Sequence, residues 1–538
     1  MPKRPLERLP RININGRSAR TALCLSAVVA AAFGLRINSL GFYNDDYAWL
    51  PTMAAHPGES LADIARVVLN GLYGAFMARP LGLVYFPFLS RLCGSNPVFY
   101  QTANLLIDTA VAWNFYRLLI EEGIDPILGL STAVLAALYP NHDSTHHWMT
   151  NSVAPLALAG VLWAVRCHRR GARENSRVLS AVAPAAYMFS ALLYESSALL
   201  ALLPAVLEFV RFRREGRSFV SAVRDAFVGT ITMTAALAGV VVYQRGIVPY
   251  FLHIERHPMS LSATHIWKVT QAGIECSLLN RLTHVIARAS QYAVKEFGPG
   301  EWAAFILSGC LLIGCERSCR RDEPSPPPDL LLVLAGAFLS LGYAPYFFDP
   351  TYTPSVFDPT NRVNLVGSLG GACAWSWVIA RFRAARRPST RVLGGILSAA
   401  LLAGFLLADQ VSGTQWARAF RLQERILAVL DPLVRADPSP MDILLFGAPN
   451  RIGAASVFES TYDFDGALQL RYRRPDLHGR ATQNGIRFDR YRAVLLSGYG
   501  DEQISYEKLY AFDAERGRLC RIPDQTAGDA FLRGIRAR

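Results

Sequence analysis

The sequence predicts an α-helical polytopic membrane protein of about eleven spans, followed by a small C-terminal α/β domain. Three observations carry this expectation. Of the 538 residues, 51% are hydrophobic and 18% charged, too apolar for an ordinary soluble protein and too charged for a membrane bundle throughout. Apolar runs recur from about residue 20 to about 410, and the composition changes after that. Basic residues gather in alternate loops between the runs, as cytoplasmic loops do.

The N-terminal arm, residues 1–20, carries Lys3, Arg4, Arg8, Arg11, Arg17 and Arg20 and is expected in the cytoplasm. The run that follows, "TALCLSAVVAAAFGLRINSL", has the length of one span. Its basic start and small residues also fit a signal peptide, but the many later apolar runs make an uncleaved anchor the simpler reading. Crossings are read at 21–40, 98–119, 127–140, 152–166, 178–194, 196–211, 221–243, 302–315, 330–348, 363–381 and 392–409. With the N-terminus inside, the arm and the loops "RCHRRGARENSR", "RFRREGR", "ERSCRRDEPSPPPD" and "RFRAARRPSTR" hold 23 of the 55 Lys and Arg residues. This inner bias accounts for the net charge of +13 without nucleic acid as a partner. The nine cysteines, Cys315 and Cys319 of "CERSC" included, show no disulfide or metal spacing.

The same topology gathers polar residues on the outer face. Asp45 and Asp46 of "GFYNDDYAWL" follow the first span and open an outer loop over 41–97. Within it, Ile64, Val67, Val68 and Leu72 recur at helical spacing, so an interfacial amphipathic helix is expected. A second short helix follows, opened by Arg79 and Pro80. "YPNHDSTHHWMTN" brings His142, Asp143, His146 and His147; "LLYESSALL" brings Glu195; "YAPYFFDPTYTPSVFDPTNRVN" brings Arg362. A long outer loop over about 244–300 includes a helical face of Leu278, Leu282, Val285, Ile286 and Ala289. Ionisable groups clustered on one side of a membrane mark a functional site by default.

These residues resemble the GT-C class of glycosyltransferases, which take a sugar from a polyprenyl phosphate carrier on the outer membrane face. The likeness is to the bacterial members related to protein O-mannosyltransferases and aminoarabinose transferases, and it covers about residues 20–410. "NDDY" occupies the place of that class's acidic pair, just past the first span. "RPL" and "LCGSNPVFYQTANLL" look like its run into the second span. "ALYPNHDSTHHWMTN" stands where relatives carry a His/Glu or Arg/Asp motif, "LLYESSALLALLP" resembles a "KE" before an apolar helix and proline, and "NRVNLVGSLG" looks like the Arg-containing start of a late span. Tyr194 stands where a lysine is often found, and no repeat of about 34 residues appears, so the branch with tetratricopeptide repeats is not matched.

The resemblance implies transfer of a sugar from a polyprenyl-phosphate-linked donor to a hydroxyl of a protein, glycan or lipid acceptor. Such chemistry needs a base for the acceptor proton and cations for the departing phosphate. Asp45 is expected as the base with Asp46 beside it, against a reading of both as a solvated turn. Arg79 and Arg362 are expected at the phosphate, against a reading as interfacial anchors. His142, Asp143, His146, His147 and Glu195 are expected to touch substrate. Asp143, His146 and His147, at i, i+3 and i+4, leave a divalent metal open, though the sequence requires no cofactor. Tyr343, Tyr346, Phe347, Phe348, Tyr352 and Phe357 form either an aromatic lip or an interfacial belt.

From 410 to 538 the pattern becomes that of a small extracytoplasmic α/β domain. "ERILAVLDPLV" reads as helix, "DILLFGAP", "GALQLRYRR" and "YRAVLLSGYG" as strands, and "KLYAFDAERGRLCRI" as a hairpin. The expected place is the plasma (inner) membrane. A multi-pass transporter or a non-catalytic component of envelope polysaccharide export is the alternative reading. Against transport, the polar residues cluster in outer loops and no halves repeat.

Overall fold

The structure, a computed structural model, describes residues 16–56, 59–63, 66, 77–252, 261–319, 329–482, 485–496 and 501–536. The expected amphipathic helix at Ile64 to Leu72 lies outside the described residues. The chain folds as a helical bundle followed by a small mixed α/β domain. Among the described residues, five helical stretches are long and apolar enough to cross a membrane: Ala19–Ser39, Ile231–Tyr250, Leu330–Phe348, Pro359–Arg383 and Pro388–Ala436. Shorter apolar helices occupy Gly82–Cys93, Pro126–Ala137, Arg177–Leu193 and Pro299–Gly314. Many apolar side chains on these helices point outward, Ile231 at 64% exposure, Ile306 at 60% and Val392 at 61% among them. Water would not tolerate so much apolar surface on so many helices, and lipid does.

Sequence signals set the helix ends. Asn96 accepts the Val98 N–H at 3.0 Å ahead of the Pro97–Glu121 helix. Asp125 caps the Pro126–Ala137 helix through the Ile127 N–H at 2.9 Å. In both, proline takes the first helical position, where its missing N–H costs nothing. Pro97–Glu121 and Val153–Glu174 cover two expected spans, yet they bury Gln101, Asn104 and Asp108, and Arg166, His168 and Arg169. Those polar residues lower their mean hydropathy. Two other expected spans are interrupted. Residues 196–211 begin as a 3-10 turn, Glu195–Leu202, before the Leu203–Arg214 helix. Residues 221–243 break at Thr230, between Phe219–Gly229 and Ile231–Val242. Of the helical face expected at Leu278, Leu282, Val285, Ile286 and Ala289, the helix Asn280–Glu296 buries Leu282, Val285 and Ala289, while Leu278 ends the preceding helix.

The bundle core includes Phe115, Leu158, Leu162, Leu334, Phe338 and Phe405. Leu330–Tyr343 and Leu365–Arg383 pack so closely that a Cβ at Gly370 would stand 2.8 Å from the Ala335 carbonyl oxygen. Small residues permit such contact between membrane helices.

The last bundle helix, Pro388–Ala436, is 49 residues long, roughly 73 Å at 1.5 Å per residue. It therefore runs unbroken through residue 410, where the sequence suggested a boundary. Hydropathy falls there, but helical spacing continues through Trp416, Leu427 and Leu430, all buried. The strands follow: β1 Met441–Phe446, β2 Arg451–Ile452, β3 Ala455–Ser456, β4 Leu477–Ala481, β5 Ile486–Phe488, β6 Arg492–Leu495, β7 Glu502–Ser505, β8 Leu509–Asp513 and β9 Arg518–Arg521. One sheet has the order β4-β1-β8-β9, with β1 parallel to β4 and β8, and β9 antiparallel to β8. A second, antiparallel sheet joins β5, β6 and β7, and β2–β3 form a small hairpin.

"GALQLRYRR" is not a strand. It lies largely within the helix Thr461–Tyr472, where Asp463 accepts the N–H groups of Glu459 at 2.6 Å and Ser460 at 3.1 Å. That start, with Phe464, Ala467 and Leu468 buried at helical spacing, outweighs the short alternation that suggested a strand. This helix lies on another, Asp46–Ala54, and a Cβ at Gly466 would meet the Tyr47 carbonyl oxygen at 1.9 Å. Tyr43, Tyr47 and Trp49 share one core with Ile443, Leu445, Phe458 and Phe464. The C-terminal domain and the first loop are thus one packed unit.

Candidate active site

The two adjacent aspartates take opposite environments. Asn44 turns the chain in the left-handed region, φ 45°, and the Asp46–Ala54 helix begins two residues later. Successive residues entering a helix point about 100° apart, so one carboxylate faces inward and the next outward. Asp46 is fully buried. It accepts the Tyr43 N–H at 2.9 Å, the Thr150 N–H at 2.8 Å and the Thr150 hydroxyl at 2.5 Å. Trp49 Nε1–H donates to that same hydroxyl at 2.9 Å. Burial pushes the Asp46 carboxyl up to about 7, against the pull of the Thr150 and Tyr43 donors. Asp46 therefore ties the first loop to residues 148–152 and has no free face for substrate. Asp45 is half-exposed. Its Oδ1 accepts the Tyr462 hydroxyl at 2.7 Å, and its Oδ2 takes no hydrogen bond among the described residues.

Two arginines stand nearby. Arg79 meets Glu195 with both prongs of its fork, Nε to Oε2 at 2.7 Å and Nη2 to Oε1 at 2.6 Å. Its guanidinium lies 4.3 Å from the centre of the Tyr194 ring. Arg362 sits in the 3-10 turn Pro359–Asn364, whose start Asp358 caps through the Thr360 N–H at 2.8 Å. Its Nε donates to the Tyr194 hydroxyl at 3.0 Å and its Nη1 to Asn151 Oδ1 at 3.4 Å. Trp148 and Tyr352 each present a ring face at 5.8 Å. Among the described residues no carboxylate pairs with Arg362, though Asp45 and Arg79 lie within electrostatic reach of it. Tyr346 borders Tyr194, Glu195, Arg362 and Tyr352. The site thus joins Asp45, Arg79, Glu195 and Arg362 of the sequence reading, with aromatic walls from the 343–357 segment.

The histidine loop goes elsewhere. His142, Asp143, His146 and His147 are all buried, none above 8% exposure. His146 Nδ1 pairs with Asp108 Oδ2 at 2.8 Å and its ring stacks on Phe33 at 4.0 Å. His142 Nδ1 pairs with Thr145 Oγ1 at 3.0 Å. Asp143 accepts from Asn361 Nδ2, the Ser412 hydroxyl, and Trp416 Nε1 at 3.1 Å. Burial, then the neighbouring His146, holds His142 and His147 well below the usual imidazole range, hence neutral. The expectation that these four residues line a substrate surface is therefore corrected: they are packed inside the protein, where Asp143 bonds to Ser412 and Trp416 of the long helix and His146 to Asp108. The expected trio of Asp143, His146 and His147 is not a ligand set either. The helix there, Ser144–His147, is only four residues long, and the Asp143 oxygens are already engaged. No three His, Cys, Asp or Glu side chains among the described residues are placed to hold a metal ion.

Sequence reasoning missed Tyr462, Trp148, Asn151 and the hydroxyl of Tyr194. Tyr194 and Trp148 lay inside motifs already singled out, so proximity was a usable signal; Tyr462 offered none.

No protein-family model and no curated protein matches the chain. Among solved structures, the chain is similar to the Archaeoglobus fulgidus oligosaccharyltransferase, determined with an acceptor peptide containing the NVT sequon tethered by a disulfide bond. Identity is 11% and the TM-score 0.42, over 87% of this chain and 64% of that one. The chain thus spans a little under two thirds of the length of that structure.

Proposed function

We propose that this protein is a membrane glycosyltransferase that moves a sugar from a polyprenyl-phosphate-linked donor to an acceptor hydroxyl on the outer face of the membrane. One observation carries the reading: Asp45 is half-exposed and, among the described residues, one of its carboxylate oxygens is free and the guanidinium of Arg362 beside it has no carboxylate partner. Asp45 Oδ2 takes the proton of the acceptor hydroxyl as that oxygen bonds to the anomeric carbon. The bond from that carbon to the phosphate oxygen breaks, and its electron pair leaves on the polyprenyl phosphate. Arg362 meets the departing charge, which grows in the transition state. Arg79, held by Glu195, adds positive charge and packs against Tyr194, which orients Arg362. The aromatic side chains Trp148, Tyr346 and Tyr352 fit a sugar ring or the first carrier carbons.

In this reading the N-terminus is cytoplasmic, the C-terminal domain extracytoplasmic, and the membrane the plasma (inner) membrane. The acceptor is a protein, glycan or lipid. Purified protein assayed against a panel of radiolabelled polyprenyl-phosphate sugars tests the reading. Transfer by wild type and none by Asp45→Asn is the expected result. Folded wild-type protein that transfers from no donor would remove it.

The transporter alternative draws on Asp108, His146 and Asp409, ionisable groups buried within the bundle. Proton-linked solute uptake in proteoliposomes, lost in Asp409→Asn, would favour it instead.

A further inference from the structure

Within the packed unit of C-terminal domain and first loop, one side chain of the domain bonds to Asp45. Tyr462 stands in the first turn of the Thr461–Tyr472 helix, and its hydroxyl lies 2.7 Å from Asp45 Oδ1 and 2.8 Å from Asn44 Oδ1. A phenol has one proton for two acceptors, and a charged carboxylate takes it in preference to an amide oxygen. The helix that carries Tyr462 cannot drift, because Gly466 lies directly against the Tyr47 carbonyl and Phe464 is buried in the shared core. Tyr47 is fixed in turn through its hydroxyl, which donates to Gln423 Oε1 at 3.2 Å.

We propose that Tyr462 is a positioning residue for Asp45, pinning Oδ1 so that Oδ2 stays turned toward the acceptor. This rests on the reading of Asp45 as the base. The C-terminal domain, which carries no catalytic signature of its own, thereby supplies part of the site. Without the hydroxyl the carboxylate turns freely between its rotamers, and only a fraction of encounters present a free oxygen in the right direction.

The test uses the full chain and two readouts. Asp45 is modified with a water-soluble carbodiimide at fixed pH and quantified by mass spectrometry, and transfer is followed with the active donor. In Tyr462→Phe, Asp45 should react about tenfold faster and kcat should fall about tenfold, the worth of one hydrogen bond to a charged group, with KM for the donor unchanged. Unchanged carbodiimide reactivity would overturn the proposal, and so would a loss confined to KM. A fluorotyrosine at position 462 keeps the shape, donates more strongly, and should slow the carbodiimide reaction. This arm stands where the phenylalanine variant fails to fold, and no slowing in folded protein would overturn the proposal. Faster labelling in Tyr462→Phe, with no transfer by wild type from any donor, would remove the transferase reading and leave the Tyr462–Asp45 contact standing.

Discussion

Replacing Asp46 with alanine should open the first loop locally while leaving the base in place. The side chain is fully buried and accepts two backbone N–H groups, those of Tyr43 and Thr150, besides the Thr150 hydroxyl. Alanine removes all three acceptors and leaves the two N–H groups stranded. Each buried, unpaired donor costs roughly 1–3 kcal/mol, so the loop loses about 2–6 kcal/mol of local stability. At about 1.4 kcal/mol per factor of ten, even the lower figure speeds local opening about thirtyfold. Amide hydrogen exchange on peptides covering residues 41–50 and 148–152 reads this directly, with peptides from the Phe219–Gly229 helix, which packs in a separate apolar cluster, as the control. Unchanged exchange in both segments would show that Asp46 does not tie them together. The titration gives a second arm. The folded-state value, about 7, lies above the ordinary 3.8. The folded protein therefore holds this proton more tightly than the unfolded chain. The associated stability is complete below about pH 3.8 and lost as pH rises through 7. The difference in thermal stability between wild type and Asp46→Asn, which stays neutral, should change across that window and be flat above it.

Asp45→Asn should lower transfer by on the order of 10²–10⁴, the usual cost of losing a general base, with thermal stability and hydrogen exchange as in wild type; turnover at the wild-type rate would exclude Asp45 as the base. Arg362→Ala should weaken binding of a short-chain polyprenyl phosphate in detergent by about ten- to a hundredfold. Arg362→Lys should recover only part of it, because lysine lacks the planar fork; equal affinity in all three proteins would place the phosphate elsewhere. Arg79→Ala should cost more stability than carrier affinity, since it leaves Glu195 half-buried without its bidentate partner. Gly466→Ala should force the Thr461–Tyr472 helix off the first loop, because its Cβ would overlap the Tyr47 carbonyl. Faster exchange at residues 41–50 reports that separation, and a wild-type exchange pattern would mean the helices are not in contact.

What could be read from the sequence was local. Asp45 was legible because an acidic pair beside tyrosines, just past an apolar run, is unusual at a membrane surface. Arg362 was legible because a basic residue preceded a late apolar run. The division of labour between Asp45 and Asp46 was not, since it depends on Thr150, 104 residues further on. Arg79 and Glu195 were each noticed, but their pairing spans 116 residues and no spacing rule reaches that far. The histidine loop misled for a physical reason. Polar residues between two spans suggest a wet loop, yet here they meet Asp108, Asn361, Ser412 and Trp416 from other helices and are buried with them. The C-terminal helix at 461–472 was misread because a nine-residue window began inside it, after Ser460 and Asp463 had already set its start.

The shared core of the C-terminal domain and the first loop bears on the genetics of this chain. A stop codon anywhere between 437 and 458 would leave every bundle helix encoded, and a reading by hydropathy would score it as the loss of a tail. It would in fact strip Phe458, Phe464 and Leu468 from the apolar surface of Tyr47 and Trp49, uncovering the segment that carries Asp45. Such truncations should behave as complete loss-of-function alleles, and supplying the missing piece as a separate polypeptide should restore them only if it re-forms that core. For the same reason the two parts are poor candidates for exchange between distant relatives: a domain transplanted alone arrives without the loop its surface was shaped to cover.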